Sequence, residues 1–357
     1  MAEATQTKTT IAIDPVTRIE GHLKAEVVVE NGKVVDAKLT GGMYRGFESI
    51  LRGRHPRDAA QIVQRICGVC PTAHATAASI ALEKASGTAV PSNGRATRNL
   101  ILGANYLQSH ILHFYHLAGQ DFIQGPDTAP FMPRYAKPDL RLPPAINAVG
   151  VDQYVEALEV RAVCHEMVAL FGGRMPHVHG ILAGGAAEIP TKEKLVEYAA
   201  RFKKVRKFVE EKYLPVVYLV GSQYKDLGAF GQGYRNALCV GVFPLDDEGK
   251  EFVFKAGAYQ DGKDMPFDVK RVTEDVKFSW FADSTSGKPF TKGENVLEVD
   301  KKGAYSFVKA PLYNGKPMEV GPLARMWVNN KPISPIGQKL FKEYFGLDVK
   351  NFRDMGE

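Results

Sequence analysis

One short segment constrains this chain more than any other feature of it. Cys67 and Cys70 form a Cys-x-x-Cys pair, with Gly68 between them, Pro71 directly after them and His74 four residues beyond Cys70. Two thiolates at this spacing can hold one soft metal ion. Proline is favoured in the first turn of a helix, so the segment predicts that Cys70 lies at a helix N-terminus, where a thiolate is stabilised.

Three other interpretations of the cysteine pair compete with a metal role. A structural zinc site needs a second pair of ligands at similar spacing, and the sequence has no second Cys-x-x-Cys. A thioredoxin-like redox pair follows a strand in a βαβ unit, whereas the flanking sequence here has a helical pattern. Simple packing of two thiols in a core is the third. The spacing by itself leaves these alternatives open.

The composition excludes several classes of protein. Of the 357 residues, 45% are hydrophobic, which provides a sizeable core and excludes a disordered chain. Lys and Arg number 46 against 40 Asp and Glu, and a net charge of +6 spread along the chain does not indicate a nucleic-acid partner. No run approaches the ~20 apolar residues of a membrane span. Cys164 and Cys239 stand alone among apolar residues, and we expect them to be inert core residues.

The hydrophobic pattern predicts an α+β fold that is mostly α, with a central helical bundle, an N-terminal β-hairpin region and a later antiparallel β-rich segment. Asn31-Gly32 separates two alternating runs, which is a strong hairpin signal. The expected domains are an N-terminal β region (1–55), a helical bundle carrying the Cys-x-x-Cys (56–226), a β-rich insertion (227–320) and the start of a truncated C-terminal helical region (321–357).

Helices are predicted where apolar residues recur at spacings of three and four. One such helix is expected to be capped by Asp152 and to run to Gly172. The others are expected at 57–66, 72–86, 95–118, 195–209 and 336–344.

Further motifs accompany the cysteine segment in a fixed order. They are Thr17–His22, Gly41–Glu48, Gly53–Asp58, His113–Leu117 with Asp121, Gly172–His177 and Glu319–Arg325. In this order, the motifs resemble the large, catalytic subunit of nickel–iron hydrogenases across essentially the whole chain. Arg-x-Cys-Gly-x-Cys-x-x-x-His is the most specific of them, and the N-terminal third is most similar to the nickel–iron–selenium branch.

The resemblance implies a bimetallic site. In that family, nickel is joined to an iron that carries CO and cyanide ligands, and two Cys-x-x-Cys-type pairs supply four sulfur or selenium ligands to nickel. By match of motif, Cys67 is a terminal nickel ligand and Cys70 bridges nickel and iron. His74 is expected to hydrogen-bond the bridging sulfur, and Arg65 to support the cysteine loop.

Three carboxylates also match family positions. Glu20 matches the acid that relays protons away from the nickel thiolates, and Asp121 matches an acid in the polar canopy above the metals. Glu48 matches a ligand of magnesium or another hard cation. Each has a plainer alternative: Glu20 as a surface carboxylate at a strand end, and Glu48 as an acidic residue at a helix start.

The family pattern is incomplete in this sequence. The second Cys-x-x-Cys element, preceded by Asp-Pro and followed by a histidine, is absent, as is a Pro-Arg-Gly loop. The helical pattern stops in mid-course at Met355–Glu357. We expect a truncated large subunit, a naturally split subunit or a frameshifted sequence. Our hypothesis is that the chain alone retains no nickel and is inactive until a second polypeptide supplies the other sulfur pair.

The expected function is that of a hydrogenase, the reversible heterolytic oxidation of H₂ to protons and electrons. Electrons would leave through an iron–sulfur small subunit in a heterodimer, because the remaining cysteines cannot hold such clusters. The alternative is a non-catalytic, hydrogenase-like scaffold subunit of a respiratory-type complex. Met1–Thr10 has no apolar signal region, so we expect a periplasmic or membrane-associated location through a partner's export signal, or otherwise a cytoplasmic one.

Overall fold

The computed structural model describes residues 8–134, 138–231 and 233–355. Residues 1–7, which make up most of the segment in which no signal peptide is expected, lie outside the described residues. Contacts divide the chain into two compact units. The first unit consists of Met1–Ser49 and Asp268–Met318, and the second of Ile50–Phe267 and Glu319–Glu357.

Strands open the chain, helices follow, and short strands fill most of the last third. The α-helices of the described residues are α1 (Phe47–Leu51), α2 (Ala59–Val63), α3 (Pro71–Ser86), α4 (Ser92–Leu112), α5 (Pro144–Gly172), α6 (Lys192–Phe208), α7 (Leu214–Gln223), α8 (Pro322–Asn329) and α9 (Pro335–Phe345). Their strands are β1 (Lys8–Ile13), β2 (Leu23–Glu30), β3 (Lys33–Gly41), β4 (Ile181–Leu182), β5 (Gly185–Ala186), β6 (Ala237–Cys239), β7 (Val242–Pro244), β8 (Phe252–Phe254), β9 (Gly257–Gln260), β10 (Lys263–Met265), β11 (Val272–Asp275) and β12 (Ala310–Tyr313).

The first unit is built on an antiparallel sheet of order β1-β2-β3. The predicted hairpin is confirmed, with Asn31 at φ 53° and Gly32 at φ 75° joining β2 to β3. The end of β3 is tied to a segment far along the chain, since the Gly41 N–H donates to Ser306 Oγ at 3.0 Å. The other two strands of this unit, β11 and β12, pair with each other.

The second unit has a helical core in which α4 packs along α5. Fully buried side chains from both helices meet there, among them Ile101 and Ile111 of α4 with Met167 and Phe171 of α5. A π-helical stretch, His113–Ala118, continues α4. The β-rich part of this unit contains a small sheet of order β10-β9-β6. The predicted mostly helical α+β architecture is confirmed.

Helix α5 corrects one prediction. It begins at Pro144, whose fixed φ suits the first helical turn, rather than at a cap on Asp152. Asp152 therefore lies inside a longer helix, eight residues after its start. The C-terminal end agrees with the sequence, because the helix stops at Gly172 and Gly173 adopts φ 79°.

A buried ion pair joins α3 to α4. Arg98 of α4 donates through two guanidinium nitrogens to the two carboxylate oxygens of Glu83 of α3, at 2.6 and 3.2 Å. Both side chains are less than a tenth exposed. Arg98 also donates to the carbonyls of Leu182 and Gly185, and Glu83 accepts from the N–H of Gly184. The pair thus fixes the short β4–β5 hairpin against both helices.

None of the helices in the described ranges combines the length and apolar character that crossing a membrane requires.

Candidate metal centre

The Cys-x-x-Cys loop connects two short helical elements in the second unit. A 3₁₀ turn, Gln64–Ile66, ends at Cys67, which is extended at φ −144° and ψ 136°. The chain then turns, and Cys70 occupies the N-cap position of α3 with Pro71 in the first turn. The prediction that Cys70 lies at a helix N-terminus is therefore confirmed.

The two cysteines are half-buried and are not joined in a disulfide. The backbone N–H of Cys70 donates to Cys67 Sγ at 3.4 Å. This contact folds the loop back on itself, so that both sulfurs belong to one tight turn. A backbone donor directed at the sulfur suits a thiolate that carries negative charge on a metal.

His74 and Arg65 lie on either side of the loop in the sequence. His74 is half-buried in the first turn of α3, and its backbone N–H donates to the Cys70 carbonyl at 3.5 Å. The Arg65 guanidinium donates back to the Gln61 carbonyl at 2.5 Å. Their expected roles, a hydrogen bond to the bridging sulfur and support of the loop, remain predictions.

A fully buried glutamine of α4 lies behind the loop. Gln108 Nε2 donates to the carbonyl of Val69, which precedes Cys70, at 3.1 Å. Its Oε1 accepts from Arg161 Nε at 3.0 Å and contacts His165 Nε2 at 3.4 Å. Nothing in the sequence singles out Gln108, because a glutamine at an internal helix position carries no signal of what will pack against it.

The other two cysteines are core residues, as expected. Cys164 and Cys239 are both buried. Burial raises the pKa of the Cys164 thiol from 9.0 to about 12, because no charged partner compensates for the loss of hydration.

The three carboxylates lie on exposed parts of the chain. Glu20 is in the loop between β1 and β2, where Arg18 and Gly21 both have positive φ. Glu48 is in the first turn of α1, in agreement with the plainer alternative of an acidic residue at a helix start. Both belong to the first unit, whereas Asp121 ends a 3₁₀ turn in the second unit. Their expected roles stay predictions.

The donor set fits one half of a thiolate-rich nickel site. Two half-buried thiols on one turn offer soft ligands, which nickel accepts. Across the described ranges, no cluster of three or more His, Cys, Asp or Glu side chains is arranged to hold a metal ion. The loop itself offers a metal two sulfur ligands.

Comparisons with known protein families agree with this donor set. A family model described as nickel-dependent hydrogenase matches residues 45–127 and 120–347. A second model, described as HoxL-like, matches residues 10–40.

Curated relatives are hydrogenase large subunits. The chain is 60% identical over 359 residues to the periplasmic NiFeSe hydrogenase large subunit of Desulfomicrobium baculatum, with 98% of this chain and 70% of that protein covered. It is 33% identical over 383 residues to the hydrogenase-2 large chain of Escherichia coli K12, with 89% of this chain and 67% of that protein covered.

Solved structures give the same result. The fold superposes on the Ni-Fe-Se hydrogenase of D. vulgaris Hildenborough in its as-isolated oxidised state, with a TM-score of 0.95 and 70% identity. That match covers 98% of this chain and 73% of the other. The reduced, active form of the Desulfomicrobium baculatum enzyme superposes with a TM-score of 0.94. The resemblance seen in the sequence is confirmed, and the chain belongs to the nickel-dependent hydrogenase family, as a relative of its large subunits.

Proposed function

We propose that this chain supplies one thiolate pair of a nickel–iron centre in a hydrogenase that oxidises H₂ reversibly to protons and electrons. The observation that carries the proposal is the Cys67–Cys70 turn, with two half-buried cysteines outside any disulfide and a backbone N–H directed at Cys67 Sγ. Membership of the nickel-dependent hydrogenase family supports the identity of the metals. When bound, such a centre supplies Lewis-acid activation of H₂.

Within this proposal, each residue of the loop has a separate role. Cys67 would be a ligand of nickel alone, and Cys70 would be a ligand of both nickel and iron. His74 would hydrogen-bond the Cys70 sulfur, a role supported by its place in the first turn of α3, four residues after that cysteine. Arg65 holds the preceding turn through its bond to the Gln61 carbonyl.

The three carboxylates have roles that rest on the match of motifs alone. Glu20 would take up the proton released at the thiolates, and Asp121 would contribute to the polar surroundings of the metals. Glu48 helps to hold Mg²⁺ or another hard cation, for which a carboxylate at an exposed helix start is an ordinary ligand. The iron of such a centre would carry CO and cyanide ligands. These assignments are supported by the match of motifs and by family membership.

We further propose two kinds of partner. An iron–sulfur small subunit accepts the electrons, since two of the four cysteines lie in the core and the other two are assigned to nickel. A second polypeptide carrying the remaining Cys-x-x-Cys completes the nickel ligands. The curated relative from Desulfomicrobium baculatum is periplasmic, and this supports a periplasmic location reached through a partner's export signal.

The scaffold alternative has less support. A non-catalytic subunit would have no need for metal thiolates, yet the cysteine pair is present and is not tied up in a disulfide. The relatives named above are large subunits of hydrogenases. Nothing in the comparisons favours a scaffold without activity.

Hydrogen-dependent reduction of a dye by the assembled complex tests the proposal. Cys67→Ser replaces a soft ligand with a hard one, and we expect it to lower the rate to background. Cys239→Ala, a change at a buried thiol outside the loop, serves as the matched control and should leave most of the rate. Undiminished dye reduction by the Cys67→Ser complex would contradict the enzyme proposal and favour the scaffold.

A further inference from the structure

We propose that Gln108 is a positioning residue that sets the orientation of the Val69–Cys70 peptide and thereby aims the Cys70 N–H at Cys67 Sγ. The inference concerns this chain's own hydrogen bonds. Only its consequence for metal binding rests on the proposed function.

The orientation of the Gln108 amide follows from its two neighbours on α5. Arg161 Nε can only donate a hydrogen bond, and it lies 3.0 Å from Gln108 Oε1. The oxygen therefore faces Arg161, and the 3.4 Å contact with His165 assigns a proton to His165 Nε2. Because the oxygen is fixed on the side of α5, the Nε2 group must face the opposite side, where Val69 lies.

The peptide that Gln108 holds joins Val69 to Cys70. In a planar trans peptide, the carbonyl and the following N–H point in opposite directions. Gln108 Nε2 binds the Val69 carbonyl at 3.1 Å, and the Cys70 N–H of the same peptide meets Cys67 Sγ at 3.4 Å. One side chain thus determines where that N–H points. A flipped peptide would turn a carbonyl oxygen, rather than an N–H, towards the sulfur.

The burial of Gln108 makes this peptide orientation costly to change. Gln108 is fully buried on α4, and its Nε2 also contacts Ser109 Oγ at 3.1 Å. Rotating the Val69–Cys70 peptide would leave a buried amide donor and a carbonyl without these partners, which is costly away from water. The loop is therefore held in its ligand-presenting form by α4 and α5 before any metal binds.

Two variants of Gln108 separate the two halves of its amide. Gln108→Glu keeps acceptors for Arg161 and His165 but can no longer donate to Val69. Gln108→Met has a similar shape and removes both halves. Asn147→Leu is the matched control, because Asn147 is also a buried amide with backbone partners, at Gln124 and Leu142, away from the cysteine loop.

Amide hydrogen exchange of the full chain is the primary measurement. Pro71 has no amide, so a peptide covering residues 67–71 reports the loop alone. We expect both Gln108 variants to speed exchange there by about tenfold, equivalent to about 1.4 kcal/mol. Asn147→Leu should leave this peptide at the wild-type rate while speeding exchange around its own contacts.

Cd²⁺ binding to the reduced chain supplies the second measurement. Its thiolate charge-transfer absorption is specific for sulfur, and Cys67→Ser identifies the part that comes from the loop. Loss of a residue that orients metal ligands lowers affinity by about 10- to 100-fold, and we expect this loss in both Gln108 variants.

The exchange measurement needs no metal, so it decides the inference independently of the proposed function. Wild-type exchange at residues 67–71 in Gln108→Glu would overturn the inference even if the wild-type complex reduces dye. Faster exchange in the Gln108 variants, together with a wild-type complex that reduces no dye, would sustain the inference and reject the proposed function.

Discussion

The four thiols of this chain have two different surroundings. Cys164 is packed in the helical core, and burial raises the pKa of its thiol, which therefore stays protonated at pH values well above those at which an exposed cysteine ionises. Cys67 and Cys70 are half-buried on a turn that provides a backbone N–H to one of them. Two of the thiols are thus packing residues, and the other two are the proposed metal ligands.

The raised pKa of Cys164 predicts a loss of stability in alkaline solution. The stability that the protonated Cys164 thiol contributes to the fold is fully present below the unfolded pKa of about 9. It declines as pH rises toward the folded pKa of about 12, because between these two values only the unfolded chain releases the thiol proton. Between pH 8 and pH 10, we expect wild type to lose about 1.4 kcal/mol more free energy of unfolding than Cys164→Ala. Urea unfolding at the two pH values measures this. Equal losses in both proteins would contradict the assigned pKa.

The candidate site shows what a sequence can reveal at the scale of single residues. The position of Cys70 before a helix was predictable, because proline and a Cys-x-x-Cys spacing act locally. The role of Gln108 was not predictable, since it depends on α4 and α5 packing together behind a loop that lies about 40 residues away in the sequence.

At the scale of elements, the Arg98–Glu83 pair joins α3, α4 and the β4–β5 hairpin. Two charges are held away from water and satisfy each other, and the carbonyls and N–H of the hairpin complete their hydrogen bonds. Such a pair adds little net stability over apolar residues, but removing one partner leaves the other charged and buried.

Arg98→Met should therefore lower the free energy of unfolding by about 3–5 kcal/mol. The double variant Arg98→Met with Glu83→Gln should lose less than Arg98→Met alone, because no buried charge is left unpaired. Arg206→Met, which breaks the exposed pair between Arg206 of α6 and Glu210 just beyond that helix, should cost far less. Urea denaturation compares the three. A small loss in Arg98→Met would show that Glu83 finds another partner or becomes neutral.

Element boundaries were predictable where the turn chemistry is local. The Asn31-Gly32 hairpin appears as expected, because both residues tolerate the positive φ that a tight turn imposes. The start of α5 was wrong, because Pro144 opens the helix eight residues before Asp152. An acidic residue inside a helix resembles a cap in sequence, and only the observed dihedral angles of the preceding segment distinguish the two.

At the scale of the whole molecule, each unit draws on separated stretches of chain. The bonds between Gly41 and the Ser306 region join residues more than 260 positions apart within the first unit. Patterns of hydrophobic spacing report local structure and contain no signal for such pairings. The fold class was therefore predictable, whereas the way in which distant segments combine was not.

The sulfur count leads to a prediction for the 357-residue chain. Two of its four cysteines are buried, and two remain for the nickel site proposed above. We expect the purified chain to contain far less than one nickel per molecule by mass spectrometry, and its content to rise towards one after assembly with a polypeptide carrying a second Cys-x-x-Cys. Stoichiometric nickel in the chain alone would defeat this hypothesis.

The cysteine turn has a consequence for which length changes this polypeptide can survive. One additional residue between Cys67 and Cys70 would move the N–H away from the sulfur, or displace Cys70 from the start of α3. Insertions at the β9–β10 turn, where Asp261 and Gly262 are exposed, leave the hydrogen bond of the cysteine turn and the start of α3 unchanged. Libraries of single-codon insertions should accordingly yield folded protein at both places, but metal-competent protein only at the second.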